Sequence, residues 1–116
     1  MEYIISQEAS RDIENIWFYT IEKWSIEQAD RYFNLIMDEI EYLARNPKSG
    51  KDYSKVRKGY FRFQVKSHFV FYKISKKNEE IEIIRIWNRN IRHNTITKAK
   101  HFRKTFTTFY DKTNVS

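Results

Sequence analysis

This chain of 116 residues contains no cysteine, one proline and two glycines. Without cysteine there are no disulfides, no thiolate metal sites and no thiol nucleophile. There is no Gly-rich loop to cradle phosphates and no G-x-S-x-G elbow of the serine hydrolases. Histidines and carboxylates are not spaced as a metal-ligand set, so neither a metal nor a cofactor is expected. The first residues carry Glu2 and Glu8 and no long apolar run. That reads against a signal peptide, a membrane-spanning helix or a membrane partner, and the expected location is the cytoplasm. Internal repeats and low-complexity tracts are also missing.

What is present is aromatic and basic. Nine Phe, eight Tyr and three Trp stand in a chain that is 41% hydrophobic, too apolar for disorder. One small domain of this length buries roughly 65% of its unfolded surface, and large aromatics are expected to supply much of its core. The net charge of +7 is uneven. Residues 1–46 hold four Lys/Arg against ten Asp/Glu, a net −6, and residues 47–116 hold eighteen against five, a net +13. An acidic helical half and a basic strand-rich half predict a polarised surface that steers an anionic partner.

Tyr3-Ile4-Ile5 reads as a short strand. Ser6 is then placed to cap a helix from Gln7 to about Trp24, with Glu8 and Asp12 near its positive end and Ala9, Ile13, Ile16 and Trp17 at helical spacing. Ser25 is placed to cap a second helix carrying Ala29, Tyr32, Phe33, Ile36, Ile40 and Leu43, which Asn46-Pro47 stops. With almost no linker the two form a hairpin. The carboxylates of both helices are expected on a solvated face. After a loop over Lys48–Lys55, strands are predicted at Tyr60–Val65, His68–Ile74 and Ile81–Trp87, joined by short reversals at Lys66-Ser67 and Lys76-Lys77-Asn78-Glu79. The fold class is therefore α+β, an N-terminal helical hairpin on a small, mostly antiparallel sheet. Residues 1–92 make up the domain. Residues 93–116 form a basic extension in which Ala99, Phe102, Phe106 and Phe109 keep a helical period. That tail is read as a helix docked on the sheet, with a partner-binding or nucleic-acid-binding helix as the alternative.

The strand 60–65 alternates: Tyr60, Arg62 and Gln64 point one way, Phe61, Phe63 and Val65 the other. In the last strand Glu82, Ile84 and Ile86 are expected on one face, and Ile83, Arg85 and Trp87 on the other, continued by Arg89. If Ile84 and Ile86 lie under the helices with Phe61 and Phe63, then Arg62, Arg85 and Trp87 come together on the opposite side. With Arg57 and Lys58 at the strand entry, this is a basic platform with interleaved aromatics. Such a platform holds single-stranded nucleic acid or an acidic peptide. His68 opens the third strand; a base, a cation and an acid around a phosphate would suffice for metal-free RNA cleavage, and His68, Arg62 and Arg85 are the candidates. A lone strand-end histidine is more often structural, and that reading of His68 stands beside the catalytic one. His93 follows the basic run after the last strand, and His101 is read as surface.

The order and spacing of several short pieces resemble one family. They are Ala9, Asp12-Ile13, Ile16-Trp17 and Tyr19-Thr20; then Trp24, Gln28-Ala29, Leu43-Ala44, Asn46-Pro47 and Gly50. Next come Arg57-x-Gly59-Tyr60-x-Arg62-Phe63, His68, Phe71-Tyr72 and Ile81-Glu82-Ile83-Ile84-Arg85-Ile86. Together they resemble the ParE/RelE toxins of bacterial type II toxin–antitoxin pairs, the ParE branch most closely. The resemblance implies a toxin silenced by a cognate antitoxin in a hetero-oligomer. For the ParE branch it implies DNA gyrase as a target inhibited by binding, with Arg57, Lys58, Tyr60, Arg62, Arg85, Trp87 and Arg89 as the face for target or antitoxin. For the RelE branch it implies a ribosome-dependent endonuclease acting on mRNA, with His68, Arg62 and Arg85 at its centre.

Overall fold

The computed structural model describes residues 1–89. The extension 93–116, with the helix expected there and its histidines, lies outside the described residues. The chain runs β1 (Glu2–Ile5), α1 (Gln7–Lys23), α2 (Ile26–Arg45), a single 3-10 turn (Pro47–Ser49), β2 (Lys51–Asp52), β3 (Tyr60–Val65), β4 (His68–Ser75) and β5 (Glu80–Asn88). The five strands form one sheet in the order β1-β5-β4-β3-β2. Only the β1–β5 pairing is parallel, with Tyr3 opposite Ile81 and Ile5 opposite Ile83.

Two serines start the helices as their sequence positions predict. Ser6 Oγ accepts from Ala9 N at 3.0 Å, and Ser25 Oγ accepts from Gln28 N at 3.1 Å. Ser6 also donates to Ile84 O at 2.8 Å, so the cap of α1 is tied to the middle of β5. The hairpin between β3 and β4 turns on Lys66, whose φ of 55° lies in the left-handed region. Gly59 enters β3 at φ 80°, where an L side chain would be strained.

Both helices cover one face of the sheet. Ala9 and Ile13 from α1 and Ile36, Ile40, Leu43 and Ala44 from α2 meet Val65, Val70, Tyr72, Ile81, Ile83 and Ile86. The core is thus largely aliphatic, contrary to the expectation of an aromatic one. Tyr72 is the one aromatic residue fully buried among the described residues; Phe61 and Phe63 are only partly covered against the core. The physical reason lies in the other face, where much of the aromatic content stands open. Tyr72 is held by its hydroxyl, which donates to Pro47 O at 2.7 Å and accepts from Gly50 N at 2.9 Å.

The alternation expected along β5 breaks in the middle. Phe71 lies opposite Arg85 and Tyr72 opposite Ile83, so Ile84 is an extra residue, a β-bulge. The extra residue shifts the parity, and Ile81, Ile83 and Ile86 are all buried. Ile84 does not join Ile86 in the core, and Ile83 does not join Arg85. Arg85 and Trp87 keep their place away from the core because they follow the bulge.

Candidate functional site: the open face of the sheet

The face of the sheet away from the core begins with strand alternation. Val70 and Tyr72 point into the core, which turns Phe69 and Phe71 outward, and Arg62 lies beside them in register with Phe71. The Arg62 guanidinium lies over the Phe69 ring at 4.2 Å and near the Tyr53 ring at 5.1 Å. Tyr53 and Phe69 both reach Phe71, at 5.6 and 6.3 Å between centroids, and Phe71 meets Trp87 edge-on at 5.6 Å. Arg85 lies over Trp87 at 4.9 Å. A second cluster stands beside this layer, with Arg57 at 5.6 Å and Lys73 at 5.1 Å from the Tyr60 ring. Stacking on a ring holds a guanidinium flat while its N–H edges stay available for an anion.

The four Arg residues expected on this face are not equivalent. Arg57 and Arg89 are exposed and Arg62 is half-buried, with no carboxylate at ion-pair distance among the described residues. Arg85 is neutralised. Its Nε donates to Asp12 Oδ2 at 2.8 Å and its Nη2 to Asp12 Oδ1 at 2.9 Å, and the same carboxylate accepts the Ile86 backbone N–H at 2.9 Å. The side chains of Arg85 and Asp12 are 17% and 8% exposed. The placement has a simple cause. Strand β1 ends at Ile5, opposite Ile83, so beyond the bulge the outer edge of β5 has no strand partner. Helix α1 runs past that edge, and Asp12 closes it.

Asp12 overturns the expectation that the helix carboxylates form only a solvated face. The signal was in the sequence: Ala9, Asp12, Ile13 and Ile16 recur at i, i+3, i+4 and i+7, so Asp12 falls inside the apolar stripe. Tyr53, Phe69 and Phe71 are further members of the face that the sequence reading passed over. Phe69 and Phe71 were legible from the alternation of β4. Tyr53 sits in a loop and carries no periodic signal.

His68 lines the groove but with little of its surface open. It is buried, and its Nδ1 lies 2.6 Å from the Tyr32 hydroxyl, which also reaches Val65 O at 3.2 Å. Whichever atom holds the proton, Nδ1 is engaged inside the fold. Burial lowers the His68 pKa to about 4, so the ring is neutral near pH 7.

The open face forms the floor of a groove of about 1560 Å³, and the end of the helical hairpin forms its wall. Tyr19 and Trp24 stand on that wall and Val56 on the opposite rim, all three strongly exposed, Trp24 at 77%. Asn15 also lines the groove, and its Oδ1 is buried without a hydrogen-bond partner among the described residues. Among the described residues, no group of three or more His, Asp or Glu is placed to hold a metal ion. No helix among them is long and apolar enough to cross a membrane.

Residues 3–92 match the family described as the ParE toxin of the type II toxin–antitoxin system, parDE. The chain belongs to the ParE toxin family. Toxin ParE1 of Caulobacter vibrioides is 34% identical over 89 residues, covering 77% of this chain and 90% of that protein. Toxin ParE1 of Mycobacterium tuberculosis is 28% identical over 89 residues, with the same coverage. Among solved structures, the chromosomal ParDE system from P. aeruginosa matches with a TM-score of 0.66 at 17% identity, over 76% of this chain and 95% of that chain. The toxin–antitoxin complex RelBE2 from M. tuberculosis matches with a TM-score of 0.61 at 18% identity, over 76% and 96%. At these identities the two structures speak for the fold, and they share it with this ParE-family chain: two helices on a five-stranded, mostly antiparallel sheet. The site residues of the ParE-family chain rest on its own geometry, since a shared fold does not carry a shared site.

Proposed function

We propose that this chain inhibits DNA gyrase by binding it, without catalysis, in the cytoplasm, and that a cognate antitoxin silences it in a hetero-oligomer. ParE-family membership supports the toxin role. The observation that carries the choice of a binding mechanism is the state of the three residues a nuclease would need. His68 is buried and engaged by Tyr32, and Arg85 is neutralised by Asp12, which leaves Arg62 as the one accessible cation of the trio. A general base must reach the proton it abstracts, and His68 is 8% exposed with its Nδ1 already engaged. These facts count against the ribosome-dependent endonuclease.

The groove supports the antitoxin. It has a basic, aromatic floor and an apolar rim at Tyr19, Trp24 and Val56. An acidic, amphipathic segment fits it, carboxylates toward the arginines and apolar side chains toward the rim. Such a contact weakens with salt, because exposed charge pairs are screened. Arg57, Lys58, Tyr60, Arg62, Trp87 and Arg89 form the target face, and Arg85 contributes mainly by holding Trp87. The test is pulse-labelling after induction of the chain without antitoxin. DNA synthesis stopping before protein synthesis is the expected result; protein synthesis stopping first would refute the gyrase reading.

A further inference from the structure

The open face has a second chemistry that an acidic protein partner does not use. Arg62 is sandwiched between Tyr53 and Phe69, those rings run on through Phe71 to Trp87, and Arg57 lies over Tyr60 beside them. An acidic peptide satisfies the guanidinium groups through its carboxylates, and stacks on Phe71 or Trp87 only where it carries an aromatic side chain. A single-stranded polynucleotide satisfies both, because its phosphates accept from the N–H edges while its unpaired bases stack on rings. A duplex fits less well, since its bases already stack on one another. Phe69, Phe71 and Trp87 are half-buried and line the floor of the groove, and the basic half of the chain supplies the matching charge.

We propose that the open face binds single-stranded DNA, with Arg57, Lys58 and Arg62 on the phosphates and Phe71 and Trp87 beneath the bases. The choice of DNA over RNA rests on the gyrase reading, in which DNA is the polyanion presented beside the target. Arg85 is not a phosphate ligand here, because Asp12 holds two of its nitrogens. Three phosphate contacts predict a salt dependence near −0.7 per contact, about a twentyfold loss of affinity between 50 and 200 mM salt.

The experiment is a titration of the full chain with a fluorescein-labelled dT 12-mer, read by anisotropy and by tryptophan quenching. The expected result is saturable binding, with quenching and anisotropy sharing one midpoint. Trp87→Leu should reduce the quenching, leaving only that from Trp24 on the groove wall, and weaken binding about tenfold, the scale of one stacked base. Arg62→Gln and Arg57→Gln should each lower the magnitude of the salt slope by about 0.7. All three variants leave the buried core intact, and each must first match the parent in circular dichroism and melting. Variants that bind as tightly as the parent would place binding elsewhere in the chain and overturn the proposal. No binding at 50 mM salt, a glutamate 12-mer that competes on equal terms, or a rU 12-mer that binds more tightly would also overturn it. None of these outcomes involves gyrase. A supercoiling assay on the same preparation tests the gyrase reading separately, and inhibition there with no oligonucleotide binding would sink this inference alone.

Discussion

Asp12→Asn is the sharpest test of how α1, the bulge and the open face are joined. The carboxylate accepts three hydrogen bonds, from Arg85 Nε, Arg85 Nη2 and Ile86 N, all between 2.8 and 2.9 Å. An amide of the same shape has one acceptor oxygen and turns an NH2 group toward at least one of those donors. It also leaves the Arg85 charge, 17% exposed, without its counter-ion. Removing one partner of such a pair costs about 3–5 kcal/mol, a large share of the roughly 5–15 kcal/mol that holds a small domain together. Urea unfolding followed by circular dichroism at pH 7 and 25 °C reads this directly. Glu22→Gln, at an exposed position on the same helix, should change stability by no more than about 0.5 kcal/mol. Combining Asp12→Asn with Arg85→Leu should cost less than the sum of the single changes by about 0.5–3 kcal/mol, because the stranded charge goes with its partner. An Asp12→Asn loss below about 1 kcal/mol, or strictly additive changes, would refute the argument.

Three further outcomes follow from the same geometry. Gly50→Ala drives a methyl group into the buried Tyr72 hydroxyl and ring, and should destabilise by about 2–4 kcal/mol in the same unfolding assay. Ser6→Ala removes the α1 cap together with its bond to Ile84 O and should cost about 1–2 kcal/mol, seen as a lower denaturation midpoint with an unchanged slope. For His68 the folded-state pKa, about 4, lies below the ordinary value of 6.5, so the unfolded chain binds more protons between those two pH values. The contribution is fully present above pH 6.5 and lost as pH falls to about 4, on the order of 3 kcal/mol. Stability measured against pH should be flatter in that window for His68→Gln, and an unchanged slope would rule His68 out as its cause.

The helices, their caps and the three long strands were legible because each rests on local signals. Ser6 and Ser25 precede apolar stripes of helical period, Pro47 ends the second stripe, and Phe61, Phe63 and Val65 alternate with polar neighbours. The bulge at Ile84 was not legible. In Ile81-Glu82-Ile83-Ile84-Arg85-Ile86, two adjacent isoleucines fit either parity, and only the pairing with β4 and the end of β1 decide between them. The candidate face was read in outline, with Arg62, Arg85 and Trp87 on the same side. Its electrostatics were misread, since the partner that neutralises Arg85 lies 73 residues away on α1. Long-range pairing of this kind is set by tertiary contact, and a single sequence signals it only through an acidic residue lodged in an apolar stripe. The contact of His68 with Tyr32 likewise joins two different elements.

The proposal that the arginine–aromatic face acts by binding gyrase has one direct test. Purified gyrase relaxing and supercoiling plasmid DNA tests it most directly, titrated with the full chain and with Arg62→Gln. The account predicts that the parent chain blocks supercoiling and that Arg62→Gln needs at least about tenfold more protein for the same block, as loss of a charged contact implies. Full supercoiling at excess parent chain, or equal inhibition by Arg62→Gln, would contradict it.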